Sequence, residues 1–278
     1  MFKGLTNHLF SMNNRFSILV QNASNARKLA LKMVHKSGSS HIGSALSSID
    51  LLVALYGGIL KINPKKPKDP NRDIFILSKG HACTALYSTL VVSNFADKKI
   101  LEGFSQDDGT LWGHSTYNTI PWVEVSTGSL GHGLPVGLGM ALANTNRRVF
   151  VMVGDGECDE GSVWESILFA GHKKVQNLIL IVDYNKIQSL GNTSDVLNLE
   201  PLSKKFEACN WAAKEIDGHD FRSIILALEN VPLQANKPTA IIAHTVKGKG
   251  VAFMENSIDW HYKPPNDSQL ASALEGLL

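Results

Sequence analysis

A chain of 278 residues with 44% hydrophobic and 19% charged residues can bury a sizeable core, and its composition is neither disordered nor fibrous. The net charge is +2, from 27 basic and 25 acidic residues interspersed along the chain, so there is no footprint for nucleic acid. Three cysteines, Cys83, Cys158 and Cys209, share no C-x-x-C spacing, which argues against a disulfide framework or a zinc site and fits a reduced, cytoplasmic setting.

The opening stretch MFKGLTNHLFSMNNRF lacks the continuous apolar region of a signal peptide, and no apolar run approaches the roughly 20 residues of a membrane span. Residues 1–18 are compatible with a weak amphipathic arm. From about Val20 to Lys36 the apolar spacing has helical period, and Gly38 stops it. A loop through Ser40-His41-Ile42-Gly43 leads to a second helix, from Ala45 to about Tyr56. The Pro- and Lys-rich stretch from Asn63 to Asn71 reads as a surface loop, because a core pattern resumes directly after it. Ile74 to Leu77 is a short strand, Ser78-Lys79-Gly80-His81 a turn, and Ala82 to about Asn94 a helix. Glu102 to Thr119 is polar and turn-rich and holds His114. Val123 to Val125 is expected as a brief strand, followed by a glycine-rich loop from Ser126 to Gly133 and a helix to about Asn144.

Val149 to Val153 is a continuous, β-branched apolar run that ends in Gly154-Asp155-Gly156. A buried strand, a tight turn and a helix from about Glu160 to Lys173 follow from that pattern. Leu178 to Asp183 is a second buried strand, with Asn185 just past its end. In a β-α-β unit both strands run parallel, so Asp155 and Asn185 share one carboxyl-end edge, where open α/β sheets bind ligands. A carboxylate, an amide oxygen and turn carbonyls form an all-oxygen set of low charge, suited to Mg²⁺ or Ca²⁺ rather than zinc. Mg²⁺ held so sparsely completes its shell with phosphate and water, so the pattern predicts a metal-bridged diphosphate at a helix N-terminus. Cys158, beside this turn, reads as a small packing residue. Further on, Leu202 to about Asn210 and Asp220 to Asn230 read as helices, and Pro238 to His244 leads into a last strand. Trp260 to Pro265 is expected as a rigid, exposed aromatic loop before a closing helix from Ser268. With no linker or repeat, residues 1–278 are expected to form one α/β domain, a doubly wound, mostly parallel sheet with helices on both faces.

The GDG turn with an asparagine thirty residues on resembles the thiamine diphosphate signature. Its neighbours Glu160-Gly161, Glu165, Ala170-Gly171-His172 and Asp183-Tyr184-Asn185-Lys186 resemble the transketolase version. So do Ser40 to Gly43, Leu77 to Ala82, Gly113-His114, Val125 to Gly133, Asp217 to Asp220, Thr245 to Gly250 and Trp260-His261, which together extend over most of the chain. The resemblance implies the thiamine diphosphate-binding fold of the diphosphate-binding (PP) type. It implies Asp155, Asn185 and the Ile187 carbonyl as ligands of Mg²⁺, with Ca²⁺ or Mn²⁺ as substitutes. Gly156, His81 and His261 would face the diphosphate, and Gly128 and Leu130 would offer backbone groups to the aminopyrimidine. His41, His114 and again His261 would line the path of the donor sugar, and Glu160 and Glu165 would lie where subunits meet and paired sites couple.

Ser40 and Ser44 stand where glycines are common in that family, and Ser115 and Ser129 where prolines are, which leaves the shape of the sugar subsite open. Transketolases carry three domains, and this chain resembles the first alone. The glutamate that assists ylid formation lies in the second. The implied function is therefore that of the N-terminal subunit of a two-chain transketolase, transferring a two-carbon ketol unit from a ketose or ketose phosphate to an aldose or aldose phosphate. Its expected partner carries the pyrimidine-binding domain and that glutamate, in an α₂β₂ assembly, with no nucleic acid and no membrane. Two alternatives are the α subunit of a 2-oxo acid dehydrogenase and a non-catalytic nucleotide- or metal-binding regulator.

Overall fold

The computed structural model describes residues 2–277, and their side chains from residue 14 onward. Its frame is a parallel sheet of five strands among the described residues: β1 (Ile74–Leu77), β2 (Val149–Gly154), β3 (Leu178–Tyr184), β4 (Ala212–Asp217) and β5 (Thr239–His244), in the order β1-β2-β3-β5-β4. The helices are α1 (Phe2–Ser37), α2 (Ile42–Ala54), α3 (Cys83–Val92), α4 (Gly133–Ala143), α5 (Gly161–Lys173), the single turn α6 (Thr193–Val196), α7 (Leu202–Ala208), α8 (Phe221–Leu228) and α9 (Asp267–Gly276).

Alternation along each strand divides the core in two. Phe150, Met152, Ile179, Ile181 and Ile241 pack under α1, α2, α3 and α8. Val149, Val151, Val153, Leu178, Leu180 and Ile242 face α4, α5 and α7 on the opposite side. Burial on both faces explains why β1, β2 and β3 read as unbroken apolar runs. The doubly wound α/β architecture expected from sequence is present, with every strand pairing parallel.

Three local expectations change, and one strand, β4, was not foreseen. The first helix begins at Phe2 rather than near Val20, so the backbone of the expected arm is continuous with α1; the apolar character of that arm rests on side chains of residues 1–13, which lie outside those described. Val123 to Val125 forms no strand: Val123 N donates to Ile120 O in a turn, and Arg72 grips Glu124 with both terminal nitrogens while stacking 5.1 Å from Trp122. Side-chain anchoring replaces a ladder there. β4 carries Lys214 and Glu215 exposed and pairs with β5 alone, so this polar edge strand gave no apolar signature. The segment Ile258–His261 folds inward as a short 3₁₀ turn with Trp260 buried, its indole nitrogen donating to Phe253 O.

The segment Ile42–Ile59, α2 continued by a π-helical turn, is apolar enough to cross a membrane, yet 89% of it is buried inside the fold. It is a core helix, covered by α1, α3 and α8. Its N-terminus, and the carboxyl ends of β1, β2, β3 and β5, converge on one edge of the sheet.

Candidate active site

Each of those strands ends in a loop that delivers polar groups to the same cleft, of about 400 Å³. After β2, Asp155–Asp159 makes one 3₁₀ turn before α5. Asp155 is 4% exposed and accepts from its neighbour Gly156 N at 2.8 Å and from Lys186 N at 2.6 Å. No basic side chain pairs with it at ion-pair distance among the described residues. Burial, with the nearby charge of Asp183, therefore raises its pKa to about 6. After β3, Asn185 Oδ1 accepts from Ile187 N at 3.1 Å, and Ile187 O faces Lys247 Nζ at 2.8 Å. Asp155, Asn185 and Ile187 thus line one cleft, as parallel pairing of Gly154 with Asp183 requires.

Glu157, which the sequence reading passed over, ties this turn to the glycine-rich loop. One of its carboxylate oxygens accepts from Ser78 Oγ at 2.6 Å and Gly131 N at 3.0 Å, and the other from Gly154 N at 3.1 Å. Gly131 is the one residue type that fits there: its φ is +79°, and an added Cβ would stand 2.6 Å from Ser162 Oγ and 2.7 Å from Glu160 Cβ. Gly128 and Leu130 of that loop line the cleft together with Gly156 and Glu160.

The four histidines come together. His41 is the hub, with ring centroids 5.3 Å from His81, 5.9 Å from His114 and 5.0 Å from His261. It sits in the left-handed region, φ 73° and ψ 13°, immediately before α2, and its backbone N–H donates to His261 O at 2.8 Å. A non-glycine residue held there is uncommon and marks a constraint imposed by its surroundings. His114 packs over Gly128, where an added Cβ would lie 3.2 Å from the ring. Burial, then the neighbouring positive groups, lowers the pKa of His41 to about 4 and that of His261 to about 3, and pushes His81 well down. These three rings are neutral at pH 7.

Two lysines stand behind the rings. Lys79, at the end of β1, donates to Asp183 and to Ser44 O, and Ser47 and Thr245 hydroxyls also donate to Asp183. Burial favours the protonated acid, but Lys79 and those hydrogen bonds outweigh it and hold Asp183 below the usual carboxylate range. Ser47 Oγ also accepts from Asn185 Nδ2 at 3.4 Å, so the ion pair underlies the asparagine. Lys247 reaches His261 Nδ1 at 3.1 Å as well as Ile187 O, and burial, then Lys79, lowers its pKa to about 8. Sequence reasoning gave no role to Lys79, Asp183 or Lys247. A lone acid closing an apolar strand was the available signal, since a fully buried charge needs a partner.

The residues the sequence suggested for metal, cofactor and sugar line this cleft: Asp155, Gly156, Glu160, Asn185 and Ile187 from the GDG unit, Gly128 and Leu130 from the glycine-rich loop, and the histidines 41, 81, 114 and 261; Glu165 lies outside it, exposed on α5. Residues 19–276 match the family described as "Transketolase, thiamine diphosphate binding domain". The chain belongs to the transketolase family. It is 40% identical over 256 residues to an apulose-4-phosphate transketolase subunit of Actinobacillus succinogenes, an alignment covering 90% of this chain and 92% of that one. With the 6-deoxy-6-sulfo-D-fructose transketolase subunit SqwG of a Clostridium species it shares 38% identity over 239 residues, 84% of this chain and 87% of that one. Transketolase from Campylobacter jejuni superposes with a TM-score of 0.87 at 33% identity over 94% of this chain. This chain spans only 43% of the length of that transketolase. The thiamine diphosphate-binding character of the domain accounts for the concentration of neutral rings, backbone amides and ammonium groups along a single sheet edge.

Proposed function

We propose that this chain is the diphosphate-binding subunit of a two-chain transketolase that moves a two-carbon ketol unit from a ketose phosphate to an aldose phosphate. The observation that carries this reading is the difference in coverage: the apulose-4-phosphate relative, itself one subunit of its enzyme, is matched along 92% of its length, while the solved transketolase is matched along 43%. The rest of the transketolase site is assigned to a second polypeptide carrying the pyrimidine-binding domain and the carboxylic acid that assists ylid formation. Two copies of each chain would rebuild a symmetric pair of sites, with Glu160 and Glu165, both exposed, at the contact between protomers. We assign residues 1–278 to a single domain and the enzyme to the cytoplasm.

The donor set fits a hard divalent cation. Asp155 and Asn185 supply side-chain oxygens and Ile187 its carbonyl, and Mg²⁺ would relieve a buried carboxylate that lacks an ion pair; Ca²⁺ or Mn²⁺ are substitutes of the same oxygen preference. The cleft of about 400 Å³ beside Gly156 has room for a diphosphate, and an added Cβ on Gly156 would meet the Gln188 side chain in ordinary contact at 3.5 Å. His81, His261, Lys79 and Lys247 surround that space with donors and positive potential. Gly128 and Leu130 offer backbone groups to the aminopyrimidine.

When bound, thiamine diphosphate supplies the electron sink for breaking the ketose carbon–carbon bond. The chain's own residues orient the reactants and handle protons. His41, His114 and His261 face the donor sugar, and neutral imidazoles can both accept a proton from a hydroxyl and return it. Lowered pKa values keep His41 and His261 in that state at neutral pH. Water is excluded only once a second chain covers the cleft, since Leu190 beside it is 80% exposed.

The test gives the two-chain complex, thiamine diphosphate and Mg²⁺ a ketose phosphate with an aldose phosphate, and pyruvate in a separate reaction. The donor panel includes apulose 4-phosphate and 6-deoxy-6-sulfofructose, after the named relatives. Two-carbon transfer without pyruvate decarboxylation is the expected result. Pyruvate decarboxylation alone would identify the α subunit of a 2-oxo acid dehydrogenase, and absence of thiamine diphosphate binding would indicate a non-catalytic regulator.

A further inference from the structure

Lys247 sits on a loop whose two flanks are held from outside the cleft. On one side, His219 Nε2 accepts from Val246 N at 2.8 Å, while His219 Nδ1 lies 2.7 Å from Asp50 Oδ2. On the other, Arg27 Nε donates to Lys249 O at 3.0 Å. The same guanidinium binds both oxygens of Asp50, at 3.0 and 2.6 Å. The buried Arg27–Asp50 pair thus connects Val246 and Lys249, the residues on either side of Lys247 and Gly248. Gly248 N, donating to Gly43 O at 2.9 Å, fastens the loop to the start of α2.

The hydrogen-bond directions fix the state of the histidine. A backbone N–H only donates, so Nε2 of His219 must be the bare nitrogen and Nδ1 must carry the proton. Asp50 accepts that proton's hydrogen bond and is held below the usual carboxylate range: burial alone would raise it, but Arg27 and His219 outweigh burial. None of Arg27, Asp50 and His219 lines the cofactor cleft. They border a separate cavity of about 330 Å³ with Lys249 and Leu277. The loop they hold carries Lys247 into the cleft, where its ammonium meets Ile187 O and His261 Nδ1.

We propose that Asp50 and His219 are positioning residues: Asp50 fixes the tautomer of His219, His219 fixes Val246, and the pair thereby aims the Lys247 ammonium at the cofactor diphosphate. This rests on the reading of the cleft given under the proposed function. Removing Arg27 or Asp50 would strand a buried charge and disturb the fold generally. His219 offers the cleaner probe, because its one output is the hydrogen bond to Val246 and a glutamine amide presents a donor and an acceptor at similar spacing.

The experiment is calorimetric titration of thiamine diphosphate, with Mg²⁺, into the two-chain complex bearing His219→Phe, His219→Gln, Lys247→Met, or both His219→Phe and Lys247→Met. The expected loss of affinity for His219→Phe is about tenfold, the size typical of groups that orient ligands from behind. His219→Gln should stay within about twofold of the native complex. In the Lys247→Met background, His219→Phe should cost nothing further, because a residue acting through Lys247 has no effect once Lys247 is gone. A full tenfold loss in that background, or a glutamine variant as weak as the phenylalanine variant, would overturn the proposal. Should His219→Phe fail to fold, His219→Leu, which also keeps the Arg27–Asp50 pair and removes the acceptor for Val246 N, is carried through the same cycle with the same expectation and the same contrary result. A native complex that binds no thiamine diphosphate would overturn the function itself and this proposal with it, whereas binding with an additive cycle would overturn the positioning role alone.

Discussion

Lys79 and Asp183 form an ion pair sealed from solvent, their side chains 1% and 0% exposed, directly beneath Asn185. Such a pair is costly to break from one side, because the survivor is left charged and unpaired. Asp183→Asn should destabilise the chain by about 3–5 kcal/mol. Adding Lys79→Met should recover a large part of that loss, since two neutral groups carry no stranded charge. Urea unfolding of the single and double variants checks this; a double variant no more stable than the single one would mean that the charge is not what the pair is for.

Asp155 shows the opposite balance. Its folded-state pKa is raised to about 6, so the fold favours the protonated acid. The cost of its charge is absent below the ordinary pKa of about 4, grows between about pH 4 and 6, and is complete above that. At pH 8, Asp155→Asn should therefore stabilise the metal-free chain by about 2 kcal/mol, after allowance for one weakened hydrogen bond. It should at the same time abolish Mg²⁺-dependent cofactor binding. Thermal melts with and without Mg²⁺ separate the two effects, and a metal-free variant less stable than the native chain would contradict the first.

The histidine cluster sets a second pH dependence. His41 and His261 have depressed pKa values, about 4 and about 3, because burial and then nearby positive groups disfavour the imidazolium. A depressed value means that stability is intact above about pH 6.5 and is lost as pH falls towards 4, where unfolded histidines take up protons that the fold refuses. The native chain should lose stability over that window, and a His41→Gln, His261→Gln double variant should show a shallower decline. Equal slopes in chemical denaturation at pH 7 and pH 4.5 would contradict the assignment.

His114 packs against His41 and over Gly128, and among the described residues it has no hydrogen bond to the proposed metal ligands. His114→Ala should leave the Kd for thiamine diphosphate within about threefold and lower kcat with a ketose phosphate by about 10²-fold, within the range for one proton-transfer group. Loss of cofactor binding equal to that of Asp155→Asn would show that His114 belongs to the diphosphate side instead.

What was legible in the sequence followed from periodicity and from chemistry at strand ends. β1, β2 and β3 are buried on both faces, so their apolar runs gave both their existence and their parallel pairing, and hence the shared edge of Asp155 and Asn185. β4 was illegible because Lys214 and Glu215 of this edge strand face solvent. The apolar triplet around Val123 misled because its burial is secured by Arg72 and Trp122 rather than by strand partners. The histidines stood out as loop residues, but their convergence on His41 depends on α2 beginning at Ile42 and on Trp260 turning inward, neither of which has a local signature. Lys79, Glu157, Asp183 and Lys247 escaped because their roles are set by partners distant in sequence: Lys79 and Asp183 alone are 104 positions apart.

The central claim is that this chain holds the diphosphate half of a transketolase site and needs a second polypeptide for the other half. The most direct test is turnover of a ketose phosphate and an aldose phosphate, with thiamine diphosphate and Mg²⁺, by the purified chain alone and after addition of its partner. No two-carbon transfer by the chain alone, and transfer restored by the second chain, is the expected result; robust transfer by this chain without a partner would contradict it.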